Sequence, residues 1–217
     1  MLHLARMASD IELFDLWCSG DQGAGNELVR RHFDAVCRFF ETKVADRAHA
    51  DDLVQRTFLA CVRARDQFAK RSSFRTYLFT VARHELYRHW RSQYRDRAAI
   101  DFAATSLQDL ATTPTGRIAR NQEHELLLRA LRTMPLEQQM LLELHYWEDL
   151  GIAALAEILD IASGAMRGRL FRARQSLRQR IEELAGRDGA NDAKDDDFDA
   201  WARSLRRKRL DSTDRTE

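Results

Sequence analysis

Two prolines and nine glycines in 217 residues leave few points where a helix is forced to stop, and the apolar residues between those points recur at helical spacing. The pattern predicts an all-α chain. A short first helix is expected over Asp10 to Cys18, with Ile11, Phe14, Leu16 and Trp17 apolar and Ser19-Gly20-Asp21 as its stop. A second runs from about Gly25 to Val44 on Leu28, Val29, Phe33, Val36, Phe39 and Phe40. A third starts near His49, with Asp51 and Asp52 placed to favour the helix dipole and an apolar face of Leu53, Val54, Phe58, Leu59 and Val62. After a loop at Phe68 to Ser73, a fourth carries Phe74, Leu78, Val81, Ala82 and Leu86.

The pattern then fades. Residues 98–116, AIDFAATSLQDLATTPTG with its flanks, are small and Thr-rich, and read as a flexible linker with one helical turn at Ser106 to Leu110. Periodicity resumes at Leu126, Leu127 and Leu131, breaks at Met134-Pro135, continues through Met140, Leu141 and Leu144, and breaks again at Asp149-Leu150-Gly151. A short helix with Ile152, Leu155, Ala156 and Leu159, a turn of a few residues, and a last helix from Gly164 to about Leu184 complete the predicted elements. The expected organisation is two small helical domains, residues 10–97 and 121–186, a linker over 98–120 and a charged tail over 187–217.

Composition narrows the class. Hydrophobic residues at 44% can build cores, and charged residues at 32% cover a surface. No stretch approaches the roughly 18 uninterrupted apolar residues of a spanning helix, and Met1 to Ser9 lacks the apolar run of a signal peptide. A cytoplasmic location is expected. Cys18, Cys37 and Cys61 have no CxxC pairing and read as small buried hydrophobes. The histidines form no metal spacing, and His84 and His89, five apart, fall on different helix faces. No nucleophile-base pair or phosphate loop stands out, so no catalytic residue, metal or cofactor is expected.

The net charge of +1 argues against a polyanionic partner until it is resolved along the chain. Leu136 to Asp160 holds six acids (Glu137, Glu143, Glu148, Asp149, Glu157 and Asp160) and no Lys or Arg. The next stretch, Ser163 to Ile181, holds six arginines and no acid. A solvated surface helix normally mixes acids with its arginines for (i, i+4) pairing; this one offers forks for guanine edges or phosphates. A helix, a short turn and a second helix is also the helix-turn-helix layout, whose second helix enters the major groove. In that helix Met166, Leu170, Ala173 and Leu177 form one stripe, and Arg167, Gly168, Phe171, Arg172 and Gln175 form the other. The first domain repeats the bias: Arg63 to Arg97 has ten basic residues against Asp66, Glu85 and Asp96. Its Phe68, Phe74, Tyr77, Phe79, Tyr87 and Trp90 are candidates either for stacking unpaired bases or for the core.

The run DDLVQRTFLACVRARDQF…SFRTYLFTVAR, Asp51 to Arg83, resembles the second conserved region of bacterial sigma factors of the small extracytoplasmic-function group. Leu131 to Arg178, LRTMPLEQQM through RARQSLR, resembles their fourth region. The resemblance implies a dissociable specificity subunit of RNA polymerase, not an enzyme. It implies that Asp51, Asp52, Gln55 and Arg56 dock on the β′ clamp helices, and that the fourth region meets the β flap. Lys70, Arg71, Ser72, Ser73, Arg75, Arg83, His84, Arg88 and Arg91 would act on the −10 element. Ser163, Gly164, Arg167, Gly168, Phe171 and Arg172 would read the −35 element. An anti-sigma factor or other regulator is implied as a further partner, with promoter DNA and core polymerase. Departures from the family pattern are Arg56 where Glu is usual, His84 where Asn is common, and Gly164-Ala165-Met166-Arg167-Gly168-Arg169 in place of Gly-Thr-Val-Lys/Arg-Ser-Arg. The other function class consistent with the residues is an autonomous helix-turn-helix regulator, which has no need of the Asp51 to Phe74 block.

The tail carries six acids and Lys194 in Asp188 to Asp199, then five basic residues in Arg203 to Arg209. Phe198, Trp201, Ala202 and Leu205 fit one short amphipathic helix; the composition equally fits a disordered polyampholyte.

Overall fold

The computed structural model describes residues 8–64, 72–94, 100–110 and 122–185. The conformation of the tail and the positions of Lys70 and Arg71 lie outside the described residues. Among the described residues the regular elements are eight helices, and the single bridge, Ser106 to Pro135, is isolated. None of these helices is long and apolar enough to cross a membrane. The chain divides into two compact units.

The first unit contains α1 (Asp10–Cys18), α2 (Gln22–Glu41), α3 (Arg47–Arg63) and α4 (Phe74–Gln93). Each begins at a side chain that satisfies otherwise unpaired backbone N–H groups. Ser9 and Glu12 form a reciprocal capping box at α1, Asp21 accepts from Ala24 N–H at α2, Asp46 from His49 N–H at α3 and Ser73 from Thr76 N–H at α4. A cap of this kind is worth about 1 kcal/mol. The Asp46 cap starts α3 at Arg47, so Asp51 and Asp52 lie beyond the first turn and not within it, where a start near His49 would place them. Between α1 and α2, Gly20 takes φ +106°; its N–H bonds Trp17 O and the N–H of Asp21 bonds Leu16 O. This pair of bonds closes the last turn of α1 in a conformation suited to glycine.

α1 packs on α2, α2 on α3, α3 on α4, and α4 returns to α1 and α2. Aromatic rings fill the junction: Phe14 lies 5.6 Å from Phe74, His32 lies 5.5 Å from Phe74, and Phe39 lies 5.7 Å from Phe79. A polar clasp joins α1 to α2, with His32 Nε2 2.6 Å from Asp10 Oδ2 and Arg31 donating to Asp10 Oδ1 at 3.1 Å. The His32 hydrogen bond, with Arg31 behind it, holds the Asp10 carboxyl below its ordinary range.

The second unit contains residues 101–110, α5 (Gln122–Arg132), α6 (Leu136–Tyr146), α7 (Ile152–Leu159) through Ala156, and α8 (Ser163–Ala185). α5, α6 and α8 pack against one another through Leu127, Leu131, Met140, Leu144 and the expected α8 stripe of Met166, Leu170, Ala173 and Leu177, all buried. Residues 101–110 correct the predicted linker. Phe102, Leu107 and Leu110 are buried. Leu136 N–H bonds Thr105 O, Glu137 N–H bonds Phe102 O and Gln108 N–H bonds Arg132 O. Ser106 and Asp109 exchange side-chain-to-backbone bonds that hold the single turn. The segment is therefore part of the second core, stitched to the junction of α5 and α6.

Two glycines test this packing in opposite directions. A Cβ added to Gly25 would lie 2.5 Å from the Trp17 ring, whereas one added to Gly168 would meet only the Arg172 guanidinium, at 3.5 Å. Gly25→Ala is expected to destabilise the first unit by about 1–3 kcal/mol through overpacking. Gly168→Ala is expected to stabilise the second by about 1 kcal/mol through helix propensity. Denaturant titration followed by circular dichroism reads both, and an unchanged midpoint for Gly25→Ala would contradict the close approach of α1 and α2.

Candidate nucleic-acid and protein interfaces

α3 buries Ala50, Leu53, Val54, Thr57 and Cys61, and this stripe turns Asp51, Gln55 and Arg56 outward, with Asp52 partly exposed beside them. The Arg56 guanidinium folds back on Asp52, with Nη2 to Oδ2 at 2.7 Å and Nε to Oδ1 at 3.1 Å. The charge reversal at Arg56 is thus largely neutralised within the helix, and the two-point geometry fixes the guanidinium plane. Both groups are about half exposed, so the pair contributes little to stability. Its consequence is the shape and charge of the face.

Leu59 and Val62, expected in the core, are 44% and 40% exposed. Their spacing from Asp52 and Gln55 places them on the same outward face. Phe58, only partly buried, stacks on the exposed Phe33 of α2 at 6.3 Å. The face therefore has a polar half, Asp51 to Arg56, and an apolar half, Leu59 and Val62. Sequence periodicity missed the apolar half because α3 carries apolar residues around most of its circumference.

On α4, His84, Arg88 and Arg91 share one exposed side. Arg88 donates to Glu85 at 2.7 Å, and Arg91 lies 5.9 Å from the centre of the Tyr87 ring. Arg83 differs from these: it is 8% exposed, lies over Tyr87 at 5.4 Å and approaches His84 Nε2 at 3.1 Å. Ser73 is occupied as the α4 cap, and Ser72 and Arg75 are partly exposed. Of the candidate stacking aromatics, Phe74, Phe79, Tyr87 and Trp90 are buried and Tyr77 is partly buried. The first four belong to the core; Phe68 lies outside the described residues.

The turn between α7 and α8 is closed by Asp160 at φ +56°. Asp160 N–H bonds Glu157 O and Ile161 N–H bonds Ala156 O, the two-bond helix ending usually built on glycine. It leads directly into α8, whose first residues, Ser163 and Gly164, are exposed. The arginines of α8 then divide by position. Arg169 and Arg174 flank the buried stripe and bind their own unit, Arg169 to Glu137 at 3.4 Å and Arg174 to His145 Nε2 at 3.2 Å with its guanidinium 5.5 Å from the Tyr146 ring. Arg167 and Arg172 are exposed and form no ion pair among the described residues. Phe171, 52% exposed, lies between them, and Gly164 leaves open space beside the helix start. A long exposed helix face with two uncommitted guanidiniums and one ring has the chemistry to meet phosphates and base edges.

The cysteines are free: Cys61 is buried, Cys18 and Cys37 partly so. Burial pushes the Cys61 thiol up to about 12 and the Cys37 thiol up to about 11, so neither supplies a thiolate nucleophile. No group of three or more His, Cys, Asp or Glu among the described residues is arranged to hold a metal ion.

Two family models match the chain in succession, Sigma-70 region 2 over residues 28–96 and Sigma-70, region 4 over residues 124–177. Together they span more than half of it. The ECF RNA polymerase sigma-E factor of Haemophilus influenzae is 26% identical over 190 residues, covering 83% of this chain and all of the relative. That of Escherichia coli strain K12 is 24% identical over 192 residues, covering 85% of this chain and all of the relative. Among solved structures, CnrH in complex with the cytosolic domain of CnrY aligns with a TM-score of 0.59 at 25% identity over 83% of this chain and 99% of that one. The sigma factor RpoE of Bartonella quintana, in complex with the anti-sigma factor NepR, aligns with a TM-score of 0.57 at 23% identity over 76% of this chain and 98% of that one, a likeness of fold. With a region 2 match on the first unit and a region 4 match on the second, the chain belongs to the extracytoplasmic-function group of the sigma-70 family, the non-enzymatic subunits that bring RNA polymerase to promoters.

Proposed function

We propose that this chain selects promoters by dividing the work between its two units: α8 reads the −35 element, and α4 with the loop before it opens the −10 element, while α3 holds the polymerase clamp. The single observation that carries the −35 reading is the exposed, uncommitted pair Arg167 and Arg172 around Phe171, on a helix whose other face is fully used in packing. Arg can fork onto guanine or neutralise phosphate from that face. The missing hydroxyls and the open space at Gly164 give the start of α8 a bare backbone approach in place of side-chain phosphate contacts, and Gly168 leaves room for the Arg172 guanidinium.

In the first unit, Arg88, Arg91 and His84 offer an exposed basic strip, with Lys70, Arg71, Ser72, Ser73 and Arg75 preceding it in sequence. Arg83 acts from within, orienting Tyr87 and His84. Separating a base from its stack costs a few kcal/mol, which phosphate and pocket contacts along this strip would offset. The α3 face engages the β′ clamp helices through Asp51, Asp52 and Gln55, with Arg56 held to Asp52 and with Leu59 and Val62 adding an apolar contact. The second unit meets the β flap. Because the RpoE neighbour is bound to the anti-sigma factor NepR and CnrH to the cytosolic domain of CnrY, an anti-sigma factor is the expected further partner of this chain.

Mixing the protein with core polymerase and a randomised promoter library tests the reading. Promoter-specific initiation is expected. Arg167→Ala and Arg172→Ala are each expected to cost about 1–3 kcal/mol of −35 discrimination, roughly five- to 150-fold, with polymerase binding unchanged. Leu59→Ala is expected to weaken polymerase binding and leave −35 preference intact. Absence of specific initiation in the regulator-free mixture, or loss of polymerase binding in both arginine variants, would contradict the division.

A further inference from the structure

We propose that the exposed face of α8 is also a docking surface for the acidic segment of this chain's own tail, Asp188 to Asp199, which occupies Arg167, Phe171 and Arg172 when DNA is absent. The inference rests on the reading of α8 as the DNA-contacting helix and names how that same face is regulated.

The first support is the state of the face. Arg169 and Arg174 have partners within their unit, while Arg167 and Arg172 have no ion pair among the described residues and Phe171 stands exposed between them. Such a face takes any ligand with closely spaced negative charges and a flat ring or apolar group.

The second is charge complementarity. Residues 186–199 carry Asp188, Asp192, Asp195, Asp196, Asp197 and Asp199 against Arg187 and Lys194, and Phe198 and Trp201 stand at the end of the acidic run. Three consecutive carboxylates followed by aromatic side chains present the features that the α8 face takes from DNA, without its length.

The third is reach. Arg172 is 13 residues before Ala185 on the helix, about 20 Å at 1.5 Å per residue, and Arg167 about 27 Å. Asp195 is ten residues beyond Ala185 and Asp199 fourteen, which allow up to about 33 and 46 Å of extended chain. Gly186 and Gly189 permit a reversal at the start of that path. The tether also sets the strength required. A short flexible connection gives an effective concentration in the millimolar range, enough for a weak electrostatic contact to outcompete dilute non-specific DNA. It still yields to promoter DNA held in place by polymerase.

The test is binding of an arbitrary 30-base-pair fluorescent duplex by the full chain, by a chain ending at Arg187, and by the full chain with Asp195→Asn, Asp196→Asn and Asp197→Asn, followed by anisotropy across a salt series. Truncation and neutralisation are each expected to tighten binding about tenfold at low salt and to steepen its salt dependence, because phosphates gain contacts the tail had held. Adding Arg167→Ala and Arg172→Ala to the truncated chain is expected to abolish the gain. Equal affinity for all three chains overturns the proposal. So does weaker binding after truncation, which would assign Arg203 to Arg209 a DNA contact of their own, and so does a gain that survives the arginine substitutions. A truncated chain that fails to bind duplex at any salt overturns instead the reading of α8 as a DNA-binding helix.

Discussion

α8 has room for one buried stripe, and the 4-3-4 spacing of Met166, Leu170, Ala173 and Leu177 decides which side chains are left facing out. Burying each of the larger three is worth about 1.5–3 kcal/mol. Turning the helix to bring Arg167 or Arg172 inward would add an uncompensated buried charge at several kcal/mol. The register cannot slip, so the outward face is as well specified as the core. Everything proposed for promoter contact depends on that constraint, because Arg169 and Arg174 beside the stripe bind their own unit while Arg167 and Arg172 are held away from it.

The same logic operates in the first unit with a different outcome. The α3 stripe turns an acid-rich, glutamine-bearing surface outward, and the α4 stripe buries Phe74, Phe79, Tyr87 and Trp90, four of the base-stacking candidates in the sequence. Most of the rings of α4 thus lie in the core, and the exposed faces of the unit carry charge beside the apolar Leu59 and Val62. Arg83 marks the boundary: basic by composition, it is buried over Tyr87 and lies against His84.

Much of this was legible in the sequence, and the residues that were not share physical reasons. The all-helical class, the stop at Ser19-Gly20-Asp21 and the α8 stripe follow from local signals, helical period and turn chemistry. Leu59 and Val62 were assigned to the core because apolar periodicity cannot choose a face on a helix that is apolar around much of its circumference. The Arg56 to Asp52 pair lies at i, i+4, a spacing that favours pairing and that is visible in the sequence, although its two-point geometry is not. Residues 101–110 read as linker because their order comes from long-range backbone bonds to Leu136, Glu137 and Arg132, which no local period reports. The Ser106-x-x-Asp109 spacing and the apolar Phe102, Leu107 and Leu110 were the available signals.

The near-neutral total charge, +1, acquires meaning from this arrangement. Basic faces on the two units are balanced by acids elsewhere in the sequence; on the proposed division of labour, neither unit alone would gain much from general attraction to DNA, and selectivity would require polymerase to present both. The most direct measurement compares promoter affinity and selectivity of the free chain with those of its complex with core polymerase at physiological salt. The account predicts weak, unselective binding by the free chain and tight, sequence-selective binding by the complex. Free chain that binds its promoter as tightly and selectively as the complex would contradict it and would point to an autonomous regulator.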